Sequence, residues 1–481
     1  MKLRELLNGL TILSSSADLD ADIREVRYDS RAVEEGDLFV AITGAETDGH
    51  KYIPMAREKG AACVVCQTVP EDGTPYVQVV DSRRALAVIG ANRFDHPADE
   101  LTMIGVTGTS GKTTSTYLIK NILEQKAGAK VGLIGTIQNM IGDRVLHTER
   151  TTPESYDLQK LLREMSDAGC SHVVMEVSSH ALCLDRVYGI RYAVGVYTNL
   201  SRDHLDFHYT MEAYCDAKAI LFDHCDAGIY NADDPWHERL MQSAKCPRRF
   251  SYAVHGQADL MAKNVQLHAG SVDFDAEADT EWAHVHVGIP ALFTVYNTLD
   301  AMACCWNLGV PLEECADALA KNHGVKGRME IIPTPGKDYT ILNDYSHKPD
   351  ALENVLQSVK GFAKGRTVVL FGCGGDRDKT KRPVMGAIAA QLADFVIVTS
   401  DNPRTEKPEA IIADILEGMK DTATPYVTIP DRVEAIHYAM DHAQPGDVIV
   451  LAGKGHEDYQ EIDHKHYPMD ERVIVAEYLN R

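Results

Sequence analysis

Gly105-Val106-Thr107-Gly108-Thr109-Ser110-Gly111-Lys112-Thr113-Thr114 is a glycine-rich loop set between two apolar runs. Leu101 to Ile104 reads as the end of a buried strand, and Tyr117 to Leu123 reads as a helix. Strand, glycine-rich loop, Lys-Thr and helix, in that order, form a phosphate-binding loop. Glycines let backbone N–H groups close on phosphate oxygens, and the helix N-terminus adds its positive dipole end. Lys112 is placed to reach the β- and γ-phosphates, and the Thr113 hydroxyl to hold magnesium. The spacing is a variant one. The general pattern wants glycine five positions before Gly111, where this chain has Val106, with Gly105 and Gly108 on either side.

Working outward, 481 residues exceed one core and suit roughly three domains of about 150 residues each. The net charge of −23 argues against a nucleic-acid partner, so an anionic substrate needs locally placed basic residues. The first ten residues read as a short amphipathic helix without the apolar core of a signal peptide. No stretch is apolar and long enough to span a bilayer, so membrane insertion is not expected and a cytoplasmic location is. The eleven cysteines form no framework; Cys63 and Cys66, in a valine-rich strand, are expected to be buried free thiols.

The expected fold class is α/β in three domains, divided at 1–98, 99–328 and 329–481. Short strands and helices alternate up to a linker at Asp95 to Glu100, with one helix running from Asp81 to about Phe94. Beyond the loop, Val131 to Ile134, His172 to Glu176 and Ala193 to Thr198 are strand candidates in a mostly parallel sheet. Residues 247 to about 288 look strand-rich and irregular. The last segment has strand candidates at Thr340 to Leu342, Thr367 to Phe371, Phe395 to Thr399 and Val448 to Ala452, with a doubly wound, Rossmann-like look.

Polar clusters sit just past these strands, where sites in α/β sheets lie. They are Glu176 to His180, Asn199 to Asp206, Asp344 to Asp350, Gly372 to Lys379, Ser400 to Arg404 and Gly453 to Glu457. The last four converge on one edge of the final sheet.

The ordered set resembles the Mur ligases, ATP-dependent amino-acid-adding enzymes of peptidoglycan synthesis. It comprises Asp29-Ser30-Arg31, the variant loop, Thr151-Thr152-Pro153, Glu176 to His180, Asn199 to His204, Ala217-Lys218, Tyr296-Asn297, Gly327-Arg328-Met329-Glu330, Asp344 to His347 and Asp401-Asn402-Pro403-Arg404. The resemblance covers nearly the whole chain and is nearest to the members that add meso-diaminopimelate to UDP-MurNAc-L-Ala-D-Glu. It implies that the first domain holds the UDP end, the second ATP and the third the incoming amino acid, with a monomer as the expected state.

By that resemblance, Gly108, Thr109, Ser110, Gly111, Lys112, Thr113, Thr114, Asn297, Arg328 and Asp344 bind ATP. Thr113, Glu176, His204 and Lys218, the last as a carbamate, serve magnesium. Lys112 and Arg328 carry phosphate charge. Ser30, Thr151, Thr152, Ser178 and Arg186 contact the UDP-muramyl dipeptide. Arg377, Asp401, Asn402, Pro403, Arg404, Gly453 and Glu457 contact diaminopimelate, whose distal carboxylate calls for arginine. Lysine-adding relatives typically lack the Arg404 equivalent. An arginine facing lysine's ammonium would repel it. Three departures stand out: Leu184 where relatives often carry Gln, Thr294 where they often carry Asn, and Asp-Tyr-Ser-His-Lys-Pro-Asp for Asp-Tyr-Ala-His-Thr-Pro-Asp. Folylpolyglutamate synthases share the variant loop but not the Asp-Asn-Pro-Arg segment. A nucleotide-binding regulatory protein, or an inactive partner subunit, would lack Lys112, Glu176, His204 or Lys218, all present here.

Overall fold

The computed structural model describes residues 1–44, 47–322 and 324–480. The chain divides into two compact units, Met1–Ser251 and Tyr252–Arg481. The division falls inside the segment 99–328 that the sequence reads as one domain.

The first unit holds two sheets, each with its own core. Strands β1 (Ile12–Ser15), β2 (Val26–Arg27), β3 (Leu38–Val40), β4 (Cys63–Cys66) and β5 (Tyr76–Val79) pair in the order β1-β5-β4-β3-β2. Only β1 runs antiparallel to its neighbour. Cys63 and Cys66 lie buried in β4 as free thiols, and burial pushes both above the usual thiol range. The N-terminal helix is a single turn, Leu3–Leu6, because Gly9 at φ 81° turns the chain out before β1 begins. The helix Ser82–Arg93 starts where expected, with the Asp81 carboxylate accepting from the N–H groups of Arg83 and Arg84. In the linker, Pro97 opens a short 3₁₀ turn at Pro97–Glu100.

The second sheet of this unit is built on β6 (Thr102–Thr107), β7 (Val131–Ile134), β8 (Asn139–Ile141), β9 (Arg144–Leu146), β10 (His172–Glu176), β11 (Tyr192–Tyr197) and β12 (Cys225–Asn231). Its order is β12-β11-β6-β10-β7-β8-β9, parallel from β12 to β7. The strands β6, β7 and β10 read as continuous apolar runs because helices cover both faces of a parallel sheet. β8 and β9 form an antiparallel hairpin at its end. The carboxyl ends of β6, β7, β10 and β11 therefore lie side by side.

β13 (Arg248–Ala253) begins before the division, and its last residues, Tyr252 and Ala253, pair with β14 (Leu260–Leu267) in the second unit. β14, β15 (Val272–Glu277) and β16 (Trp282–Val287) follow as an antiparallel meander. Strict alternation of buried and solvated residues along β15 and β16 gives the region its irregular hydrophobic pattern. The mostly apolar helix Leu292–Asn307 packs on β14 and β15. The last sheet contains β17 (Glu330–Ile332), β18 (Thr340–Asp344), β19 (Thr367–Phe371), β20 (Phe395–Val398), β21 (Tyr426–Thr428) and β22 (Val448–Ala452), ordered β17-β18-β22-β19-β20-β21. All but β17 are parallel. Val368, Leu370, Ile397, Ile449 and Leu451 point to a face covered by helices Arg432–Asp441 and Glu471–Leu479. Their alternates point to the other face, so the sheet is doubly wound. A polar hairpin, β23 (Tyr459–Ile462) with β24 (Lys465–Pro468), follows β22.

Candidate functional site

The phosphate loop leaves β6 and enters the helix Lys112–Lys126, with Gly111 at φ 86° as the residue before its first turn. Gly108 has to be glycine: a Cβ there would lie 1.8 Å from the Thr198 hydroxyl. The segment after β11 braces the loop from the side. Asn199 accepts from Thr109 N–H through its backbone oxygen at 2.9 Å and from Ser110 N–H through its side chain at 3.0 Å. Thr198 donates to the Ser110 carbonyl at 2.7 Å. Lys112 Nζ donates to the carbonyls of Gly108 and Thr109 at 2.9 and 3.0 Å. Thr114 is buried in the first helical turn.

Glu176, at the carboxyl end of β10, is almost fully buried and accepts from the Thr113 hydroxyl at 3.0 Å. It also accepts from the N–H and hydroxyl of Thr136 at 2.9 and 3.0 Å. A Cβ on Gly135 would come within 2.5 Å of its Oε1, so the strand end at β7 is cut away around the carboxylate. Hydroxyl and carboxylate oxygens side by side at a phosphate loop are hard donors that suit magnesium. Among the described residues no three His, Cys, Asp or Glu side chains gather as a metal-holding group.

Lys218 lies in the helix Met211–Ala219 and is buried, not a surface helix lysine. Its Nζ donates to the Gly108 carbonyl at 2.9 Å and stands 4.4 Å from the Tyr214 ring centroid. The Tyr214 hydroxyl is 3.3 Å from the Thr109 hydroxyl, tying the same helix to the loop. His204, at φ 53°, has its ring 3.2 Å from the Asp203 carboxylate and edge-on to His180 at 4.8 Å between centroids. Burial lowers the pKa of His180, and that of neighbouring His208 to about 4.

Thr151, Thr152, Ser178 and Arg186 come together beside the end of β10. Thr151 and Thr136 hydroxyls are 2.9 Å apart, and Thr152 donates to the Glu176 carbonyl at 2.8 Å. Ser178 caps the short helix after β10 by accepting from Ala181 N–H. Arg186 donates to the Thr152 carbonyl at 3.3 Å and pairs with buried Glu154 at 3.5 Å. Glu154 also pairs with Arg83, whose guanidinium donates to the Leu184 carbonyl at 3.1 Å. At the Leu184 departure the backbone is thus in use. Ser30 lies buried in the 3₁₀ turn Ser30–Ala32, capped by Asp29.

In the second unit, Asp344 ends β18 and accepts from Met329 N–H at 2.8 Å and from the Ser346 hydroxyl. Burial pushes its carboxyl above the usual range. Arg328 lies over the Tyr345 ring, 5.0 Å from its centroid. Asn297 is buried in the helix Leu292–Asn307, one turn after Thr294, whose hydroxyl donates to the Pro290 carbonyl at 2.8 Å. That bond ties the departing Thr294 to its own helix start. In the third departure, the Ser346 hydroxyl serves Asp344, and burial lowers the pKa of His347 to about 4.

The four loops after β18, β19, β20 and β22 meet at one edge of the last sheet, as expected. Arg404, at φ 52°, donates to the Gly375 carbonyl at 2.9 Å and pairs with Glu461 of β23 at 2.8 Å. A Cβ on Gly374 would stand 2.9 Å from Arg404 and 3.7 Å from Arg377, so the two arginines flank one glycine. Arg377 is exposed and donates to the Asp376 carbonyl of its own loop at 3.2 Å. Asp401 and Pro403 are buried; the Asp401 carboxylate accepts from Asn402 N–H and backs onto Gly453. Asn402 donates to Glu457 at 3.0 Å. Thr136, Glu154, Arg83, Lys454 and Glu461 received no role from the sequence. Thr136 and Lys454 stand just past strands inside glycine-containing turns, which is a usable signal. The other three are recruited from distant segments.

With a phosphate loop, a buried acidic partner and a guanidinium-lined sheet edge on one α/β chain, the molecule has the parts of an ATP-dependent ligase, and it belongs to the Mur ligase family. Three family models match it in turn: "Mur ligase family, catalytic domain" over residues 22–94, "Mur ligase middle domain" over 106–305 and "Mur ligase, glutamate ligase domain" over 327–455. The chain is 47% identical to UDP-N-acetylmuramoyl-L-alanyl-D-glutamate--2,6-diaminopimelate ligase 1 of Clostridium acetobutylicum, over 100% of this chain and 99% of that one. It is 45% identical to the corresponding Clostridium botulinum ligase, over 95% of each. A solved structure of a ligase with the same substrate name superposes with a TM-score of 0.73 at 32% identity, covering 100% of this chain and 99% of that one. No helix among the described residues is long and apolar enough to cross a membrane.

Proposed function

We propose that this chain joins meso-diaminopimelate to the γ-carboxylate of D-Glu in UDP-MurNAc-L-Ala-D-Glu, using ATP and working in the cytoplasm. The observation that carries the reading is the presence on one chain of both halves of the chemistry. One is a phosphate loop with Lys112, Thr113 and Glu176; the other is a sheet edge bearing Arg404, Asn402 and Glu457. The names of the full-length relatives support the same substrate pair.

A carboxylate is a poor electrophile. A γ-carboxylate oxygen takes the γ-phosphoryl group of ATP as the bond to ADP breaks. The amine of the incoming amino acid then attacks the acyl carbon, phosphate leaves and the amine gives up a proton. Such transfer depends on positioning and charge neutralisation. Lys112 and Arg328 supply positive charge to the phosphates. Thr113 and Glu176 would hold magnesium, with His204 assisting at a second ion, and the metal would neutralise phosphate charge. Ser30, Thr151, Thr152, Ser178 and Arg186 hold the muramyl dipeptide. Arg404 and Arg377 read the distal carboxylate of diaminopimelate. In this assignment the three parts of the chain, 1–98, 99–328 and 329–481, serve UDP, ATP and amino acid respectively.

Lys112 and Lys218 both donate to the Gly108 carbonyl. Carbamylation of Lys218 would turn two like charges at one carbonyl into an opposite pair and add an anion beside magnesium. Incubation with ¹³C-bicarbonate is expected to give a carbamate carbon signal that disappears in Lys218→Ala. A signal that survives the substitution would contradict the assignment.

The reading as a ligase is tested by phosphate release. It is expected only when ATP, UDP-MurNAc-L-Ala-D-Glu and an amino acid are all present. Nucleotide binding with no amino-acid-dependent release would instead support a regulatory or partner-subunit role.

A further inference from the structure

Lys454 lies between two glycines in the loop after β22, and its side chain is fully buried, at 0% exposure. A buried ammonium is tolerated only when its charge and its protons are matched. Its Nζ donates to Asn402 Oδ1 at 2.7 Å and to Glu457 Oε2 at 2.6 Å, and stands 5.1 Å from the Tyr459 ring centroid. It therefore links two loops, one after β20 and one after β22.

The proton count around it is informative. Asn402 Oδ1 accepts a second bond, from Glu461 N–H at 2.9 Å, so both acceptor positions of that carbonyl are filled. The Asn402 amide cannot be turned round without setting its NH₂ against two donors. Its NH₂ gives one hydrogen to Glu457 Oε2 at 3.0 Å. The other hydrogen is left over, and no bond to Glu457 Oε1 is found among the described residues. A spare donor thus stands next to a spare anionic acceptor. That pair complements the carboxylate and ammonium of an amino-acid head.

We propose that Lys454 is a positioning residue: it fixes the direction of the Asn402 amide and holds the Glu457 carboxylate turned toward the incoming amino acid's zwitterionic head. The inference rests on the function proposed above. Lys454 itself does not touch substrate; it acts through Asn402 and Glu457. Without it, the Glu457 carboxylate loses its only ion-pair partner among the described residues and is no longer held in direction.

The test uses Lys454→Met, Glu457→Gln and the double variant, each checked for an unchanged melting profile. Lys454→Met is expected to raise the KM for meso-diaminopimelate by about tenfold or more, the scale of one charge-assisted contact. The ATP KM should stay within about twofold. The double variant should lose less than the two single losses combined, because both changes act in part on one carboxylate. Lys454→Arg, which keeps the charge, should recover part of the loss. Equal rises in both KM values, or additive losses in the double variant, would assign Lys454 a merely structural role and overturn the inference. A wild-type chain that turns over no amino acid would defeat the functional reading, and this inference with it. Should Lys454→Met fail to fold, Lys454→Gln carries the same comparison of the two KM values. An unchanged meso-diaminopimelate KM in that variant would overturn the proposal.

Discussion

Lys112→Ala is expected to abolish measurable phosphate release, lowering kcat by about a thousandfold or more. Lys112 opens the helix after the loop, and its Nζ lies along the loop's own carbonyls at 2.9 and 3.0 Å. A γ-phosphoryl group in transfer spreads negative charge over its oxygens. A single fixed donor in such a site is worth about 3–4 kcal/mol, or two to three powers of ten. Lys112 brings a full charge as well as hydrogen bonds, so the effect should lie at or beyond the upper end. The fold should survive, because the loop is also braced by Thr198 and Asn199. The check is single-turnover phosphate release beside a melting curve. Retained turnover in a folded variant would remove Lys112 from the chemistry.

The second large effect is expected at Arg404. Arg404→Ala should raise the KM for meso-diaminopimelate by about ten- to a hundredfold, the worth of a hydrogen bond to a charged group. The ATP KM should move far less. Arg404 is held from two sides, by the Gly375 carbonyl and Glu461, which fixes where its planar fork points. Arg404→Lys should recover only part of the loss, because an ammonium cannot make the bidentate contact. The measurement is a KM comparison for both substrates in one preparation. Equal changes in the two values would show that Arg404 merely ties β23 to the sheet edge.

The parts of this protein that were legible in advance are those written contiguously. The phosphate loop declares itself because strand, glycines, lysine and helix follow one another within about twenty residues. The parallel strands declare themselves because burial on both faces makes them continuous apolar runs. From these, the sheet edges and most of the polar clusters followed. What stayed hidden is non-local. Glu461 meets Arg404 from a short polar hairpin whose sequence carries no strand signal. Glu154 meets Arg83 across seventy-one positions. Lys454 was visible as a residue of a polar loop, but only the fold shows it buried between Asn402 and Glu457. The N-terminal helix was over-read because an amphipathic pattern says nothing of the positive φ at Gly9 that ends it. The variant glycine spacing also gained a physical reason. Gly108 stands against Thr198 too closely for any side chain, whereas Val106 lies buried within β6.

The central claim is the choice of meso-diaminopimelate for the γ-carboxylate of UDP-MurNAc-L-Ala-D-Glu. It is tested most directly by competition. The chain is given ATP, magnesium and the muramyl dipeptide with equal concentrations of meso-diaminopimelate and L-lysine, and the tripeptide products are weighed by mass spectrometry. The account predicts a product that is overwhelmingly the diaminopimelate tripeptide. A predominance of the lysine tripeptide would contradict it.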